Sequence, residues 1–238
     1  MGGIINQKIQ IKAIQIPKLL DKKTTEEETE KYSEYSKIIN AIQNNIGKQK
    51  LFICFNIKAY EKSHDILTEF AWCMFTKDGT IVKKKYAIVR EAMNYYENDN
   101  IPDNRHDYLF GNTKIQSLKS IEEELKNDII KINYIVCQSI SNDFCYLNSL
   151  NIDISKFKKM TNSKIPEFGI IDMMDIYSGL YYTPGVSLEE SLIKLKIPYE
   201  KLQNTGKNYK FISTVEYIYN LNLNYIYIFN FFFFFNYY

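Results

Sequence analysis

The chain has no C-x-x-C pair, only two histidines and almost no net charge. Each scarcity excludes a class of function. Cys54, Cys73, Cys137 and Cys145 stand singly inside apolar stretches. With only His64 and His106 beside them, they cannot complete a tetrahedral zinc site at ordinary ligand spacing. All four are expected to be reduced core thiols in a reducing compartment. A net charge of +2 lacks the basic signature of an obligate nucleic-acid coat protein. Any such contact needs a local patch, and the short basic runs are Lys83-Lys84-Lys85 and Lys156 to Lys159, both expected to be solvated surface. Met1-Gly2-Gly3-Ile4-Ile5-Asn6 has neither the basic flank nor the long apolar core of a secretory leader. Asn6 also stands where a myristoylation signal wants Ser or Thr. The expected location is intracellular, cytoplasmic or nuclear.

Charge is missing altogether from Tyr217 to Tyr238, a stretch of 22 residues that ends in Phe231 to Phe235 and Asn236-Tyr237-Tyr238. Its length could span a bilayer. Its five asparagines and lack of basic flanks argue against a membrane anchor. Phe, Tyr, Asn and Ile are residues of AT-rich codons, so the segment reads as a degenerate or misread end of an open reading frame. As protein it would be an aggregation hazard.

The 238 residues suit one ordinary domain with an extension. Three parts are expected: an N-terminal extension with one helix (1–48), the main domain (49–221) and the aromatic and Asn-rich tail (222–238). Thr24-Thr25-Glu26-Glu27-Glu28 is a capping-box pattern with acids in the first turn. It predicts a helix to about residue 46, ended by Gly47. The continuous apolar run 51–57 predicts a central strand buried on both faces. Strands follow at 66–76 and 81–89, joined by the tight turn Lys77-Asp78-Gly79-Thr80. After a polar connection (94–113), apolar positions at helical spacing predict a helix over 115–131. A strand at 134–137, a helix from Ser141 to 150, a strand at 168–172 and helices at 187–195 and 206–221 complete the reading. The order predicts an α/β fold with a mixed five-stranded sheet, three antiparallel strands plus two parallel, and flanking helices.

The chemistry centres on Asn56-Ile57-Lys58, at the end of the first strand. Residues two apart on a strand share a face. In two-metal nucleases such a pair is Asp-x-Glu, whose carboxylates grip the ions together. Here an amide and an ammonium occupy both positions, and neither suits Mg²⁺.

Several ordered segments carry a resemblance. Phe55-Asn56-Ile57-Lys58-Ala59-Tyr60-Glu61 resembles Asp-x-Glu-Ala-Tyr-Glu, and Leu67-Thr68-Glu69-Phe70-Ala71 a following Thr-Glu-Ile-Gly strand. Asp107-Tyr108-Leu109-Phe110-Gly111-Asn112 is similar to a Phe-x-Phe-Gly-x-Ser element. The segment from Ile135-Val136-Cys137-Gln138 to Asp143-Phe144-Cys145-Tyr146-Leu147 resembles the strand and helix that carry a further Asp. Gly169-Ile170-Ile171-Asp172 looks like an Ile-Asp-Thr strand, and Leu202-Gln203-Asn204-Thr205-Gly206-Lys207-Asn208-Tyr209 stands where the pattern has Leu-His-Asn-Ala-Gly-Asn-Asp-Ala. Together they resemble the C-terminal domain of the fungal "good for full DEAD-box protein activity" proteins. That domain is ribonuclease H-like and related to DEDD-type 3′–5′ exonucleases, and the match covers roughly residues 50–221.

The resemblance implies that the family's metal-binding acids fall on Asn56, Lys58, Asp143 and Asn208, and its general-base histidine on Gln203. Asp143 alone keeps its chemistry. Four carboxylates would give a site charge of −4, whereas Asp143 with Lys58 gives 0, too little to hold two Mg²⁺ ions together. Gln203 cannot take a proton from water. Glu61, His64, Asp65 and Glu69 lie near the missing pair and are candidates for a weak cation site, with Asp143, Glu61 and Glu69 the nearest to a ligand set; the plainer reading is a solvated turn. Lys58 is read as a surface lysine paired with Asp143, or as an ammonium that stands in for a metal and, with Lys207, holds a phosphate. The histidines are expected in loops and Trp72 in the core.

The resulting expectation is a catalytically inactive, exonuclease-like domain that binds single-stranded nucleic acid or an RNA-processing protein. No small-molecule cofactor is expected. Mg²⁺ or Mn²⁺ enters only under the alternative of a residual 3′–5′ exonuclease with altered ligands. A decayed paralogue without a selected role is the third reading.

Overall fold

The structure is a computed structural model that describes residues 25–60, 62–95, 113–137, 141–161, 164–186 and 190. The expected helices at 187–195 and 206–221, and the aromatic tail, lie outside the described residues apart from residue 190.

Helix α1 (Glu26–Asn45) starts as its sequence demands. Thr25 Oγ1 accepts from the Glu28 N–H at 3.2 Å, and the Glu28 carboxylate accepts from the Thr25 N–H at 2.9 Å. Two orphan donors of the first turn are thereby satisfied. The other end departs from expectation: the cap is Ile46 in an extended conformation, and Gly47 supplies no left-handed turn. Lys77 Nζ instead donates to the carbonyls of Gln43 and Ile46, where a cation also suits the negative end of the helix.

Strands β1 (Leu51–Tyr60), β2 (Ser63–Thr76) and β3 (Ile81–Val89) form an antiparallel meander. Gly79, at φ 85°, closes the turn between β2 and β3, donating to the Thr76 carbonyl at 2.9 Å. Its φ is one that a side chain would resist. Strand β4 (Lys114–Gln116) leads into helix α2 (Leu118–Ile129), which is capped by Ser117. Then come β5 (Tyr134–Cys137), helix α3 (Ser141–Ser149), β6 (Lys158–Lys159), β7 (Gly169–Asp172) and helix α4 (Met173–Tyr181).

All strands join one sheet in the order β4-β3-β2-β1-β5-β7-β6. The expected α/β class holds, with three antiparallel strands (β1, β2, β3) and two parallel ones (β5, β7) at its centre. The expected count of five strands is too low by two, because β4 and β6 add parallel pairings at the edges. Such two- and three-residue strands are too short to show a period of two. The predicted helix over 115–131 is correspondingly divided between β4 and α2.

The core is built on β1 and β2. Phe55 faces Trp72 across the ladder, so the two side chains share a face of the sheet. Helices α2 and α3 cover that face: Trp72 Nε1 donates to Asp128 Oδ2 on α2 at 2.9 Å, and Phe55 meets Phe144 of α3 at a ring separation of 6.2 Å. Asp128 is only 2% exposed and also receives Lys83, while Lys85 pairs with Glu124. Lys83 and Lys85 stand two apart on β3 and so both point at α2, beside the Trp72 ring. The expected solvated basic run is therefore in large part an internal ion-pair network; Lys84 alone of the three is exposed. The second run is engaged as well: Lys156 reaches the last carbonyls of α2 and lies over the Phe157 and Phe168 rings, and Lys159 pairs with Asp175 at 2.9 Å.

Helix α4 was not foreseen. Asp172 ends β7 and caps α4 by accepting from Met174 N at 2.9 Å. The helix then packs on α1, with Gly179 against the backbone of Tyr35 and Ser36.

Candidate functional site

The strand order reverses direction at β1. From there β2 and β3 extend to one side, and β5 and β7 to the other. β1 and β5 are parallel neighbours, but they pair only over Phe52–Cys54 and Tyr134–Val136. Beyond those residues β1 continues past the end of β5. Crevices at such reversals, outside the carboxyl ends of parallel strands, are where α/β sheets characteristically bind ligands.

Asn56 and Lys58 lie on this projecting part of β1. Both point to the face opposite Phe55, away from α2 and α3. Asp143, in the first turn of α3, reaches the exposed edge of β1 and accepts from the Ile57 N–H at 2.9 Å. The carboxylate thus meets the β1 backbone between positions 56 and 58, while the Asn56 and Lys58 side chains point to the other face of the sheet. Gln203, Lys207 and Asn208, as well as Glu61, fall outside the described residues.

Burial pushes the Asp143 carboxyl up to about 6, against the lowering effect of the Ile57 N–H. A single backbone donor does not offset the loss of water around the charge. Cys137, at the end of β5, is held well above the usual thiol range by burial and by the negative charges of Asp172, Asp143 and Asp175.

Lys58 does not pair with Asp143, contrary to expectation. Its register partner on β2 is Glu69, with Nζ and Oε2 at 3.8 Å. That separation is an ion pair but exceeds a hydrogen bond, so the ammonium N–H groups are not used up by it. Glu69 is buried and also accepts the phenolic O–H of Tyr86 on β3. Both contacts fall on Oε2, so as a candidate cation ligand Glu69 would share its carboxylate with Lys58 and Tyr86. His64 is at the start of β2 rather than in a loop, 3.0 Å from the Tyr146 hydroxyl of α3. Asp65 is an exposed residue of the same strand. Cys145, expected in the core, is exposed on α3.

A pair of divalent ions needs more negative charge than this donor set carries. Asp143 contributes −1, Lys58 +1 and Glu69 −1, so the described site sums to −1. Among the described residues no three His, Cys, Asp or Glu side chains come together as ligands for a metal ion. Two hard cations require several carboxylates aimed at the same point. The described residues do not fit that demand. They offer instead a half-buried carboxylate, an amide and a lysine around a strand edge.

The Lys58–Glu69–Tyr86 cross-strand set was beyond sequence reasoning because it depends on register. The available signal was a pair of charged residues in two otherwise apolar runs. Among the described residues no helix is long and apolar enough to cross a membrane.

No curated protein matches the chain. Residues 51–212 match the DEDDh family described as "DNA polymerase III subunit epsilon-like, C-terminal domain". That match takes in β1, with Asn56 and Lys58, and α3, with Asp143. The chain is therefore a member of this exonuclease-related family.

Proposed function

We propose that this exonuclease-like domain no longer hydrolyses nucleic acid and serves as a binding module for single strands in RNA metabolism. The proposal includes the finer kinship with the fungal "good for full DEAD-box protein activity" proteins. One observation carries it: Asp143 is hydrogen-bonded to the β1 backbone at Ile57, and the residues on either side are an amide at 56 and an ammonium at 58. The family position is kept while the charge that would gather cations is lost. Lys58, close to but not hydrogen-bonded with Glu69, retains N–H groups for a phosphate oxygen. Gln203 and Asn208 extend the same substitution pattern in the sequence.

The test uses short single-stranded RNA and DNA with Mg²⁺ or Mn²⁺, beside the Asp143→Ala variant. No metal-dependent cleavage above background is expected from either protein. Binding should weaken as salt rises, since phosphate contacts release counterions, and should weaken about 5-fold or more in Lys58→Glu, roughly one lost phosphate contact. Cleavage that requires metal and disappears in Asp143→Ala would overturn the proposal in favour of a residual exonuclease. Absence of both cleavage and low-salt binding would overturn nucleic-acid binding and leave a protein-binding module or a decayed paralogue.

A further inference from the structure

The outer edge of the sheet offers a second surface, on the far side of β2 and β3 from the site just described. β3 has nine residues, yet β4 pairs only with Ala87, Ile88 and Val89. Among the described residues no strand lies against Ile81–Lys85 on the side away from β2. Along a strand, alternate residues aim their N–H and C=O groups to each side, so over roughly 17 Å this edge has no ladder partner among the described residues.

Two features show that the edge is not masked by its own side chains. Ile81 and Val82 are 45% and 54% exposed, and Ile115 on the adjoining β4 is 43% exposed. Among the described residues, half of the six large exposed hydrophobic ones thus lie on this one edge. The lysines that commonly protect an edge strand are in part turned inward here, with Lys83 and Lys85 held by Glu124 and Asp128 of α2.

Charge decides which occupant the edge suits. Lys83, Lys84, Lys85 and Lys131 stand against Glu124 and Asp128, so four positive and two negative groups leave +2 locally. A second copy added antiparallel across β3 would bring the two exposed Lys84 side chains toward each other, and like charges opposite one another destabilise a ladder. We infer that Ile81–Lys85 is a strand-addition site for an extended acidic peptide of a partner protein, its apolar residues against Ile81, Val82 and Ile115 and its carboxylates near Lys84. Main-chain hydrogen bonds would supply much of the affinity and the lysine the charge selection.

Fluorescence anisotropy on the full chain tests this. The probe is a labelled decapeptide of alternating Val and Thr flanked by Glu, with a Lys-flanked version and an N-methylated version as controls. The acidic peptide is expected to bind, and the Lys-flanked and N-methylated peptides to bind at least 10-fold more weakly. The double variant V82D/K84E, altered only at exposed positions, should lose at least 10-fold for the acidic peptide with an unchanged circular dichroism spectrum. Equal binding of the N-methylated peptide would overturn strand addition, as would no binding of any peptide. Sedimentation as a dimer that V82D disrupts would assign the edge to a second copy and overturn the acidic-peptide assignment.

Discussion

At Asp143 the balance is between desolvation and one backbone hydrogen bond, and desolvation wins, placing the carboxyl at about 6 rather than its ordinary 3.8. Well below the ordinary 3.8 the folded and unfolded chains both hold the proton, and the residue costs nothing. As pH rises to about 6 the unfolded chain releases it first, so folding stability falls through this window and stays lower above it. Asp143→Asn keeps an acceptor for the Ile57 N–H without the charge. It is expected to be more stable than the parent by about 2 kcal/mol at pH 7.5, the gap closing toward pH 4. Urea unfolding at both pH values measures it. No gap at pH 7.5 would mean that the carboxylate is better solvated than its position suggests. The location of Asn56, Lys58 and Asp143 was readable from strand alternation and motif order. Lys58's true partner was not, because Glu69 becomes its neighbour only through the long-range β1–β2 register.

Elements with their own local signal were the legible ones. Thr25 and Glu28 announce α1, Lys77-Asp78-Gly79-Thr80 the β2–β3 turn, and the apolar runs the central strands. Helix α4 hid because Met173–Tyr181 is apolar, short and carries Gly179, a residue that lowers helix propensity. The tertiary structure explains the glycine: a Cβ there would lie 2.6 Å from the Tyr35 carbonyl carbon and 2.7 Å from the Ser36 nitrogen. Both are backbone atoms, so α1 would have to move. In a solvated helix Gly→Ala would stabilise by about 1 kcal/mol. Here the clash dominates, and Gly179→Ala is expected to destabilise by about 2 kcal/mol, read by thermal or urea unfolding. A stabilised variant would show that α1 and α4 are held less closely than this packing requires.

At the scale of the whole molecule, the sheet separates two roles. Its centre, where strand direction reverses, carries Asn56, Lys58 and Asp143; its β3 edge carries exposed apolar residues and a partly neutralised lysine run. Net charge alone concealed both, since +2 over 238 residues averages an internal ion-pair network with the surface. The Lys58–Glu69 rung also makes the substitutions hard to reverse one at a time. Lys58→Glu would set two carboxylates opposite each other on β1 and β2, leaving the Tyr86 hydroxyl as a donor to Glu69. It is expected to destabilise the fold by about 1–3 kcal/mol, and Glu69→Gln in the same chain to restore most of that loss, a coupling that a double-mutant cycle measures. On the proposed reading, in which an acid once stood at position 58, any single step back from the lysine meets a stability barrier, so the change works as a ratchet.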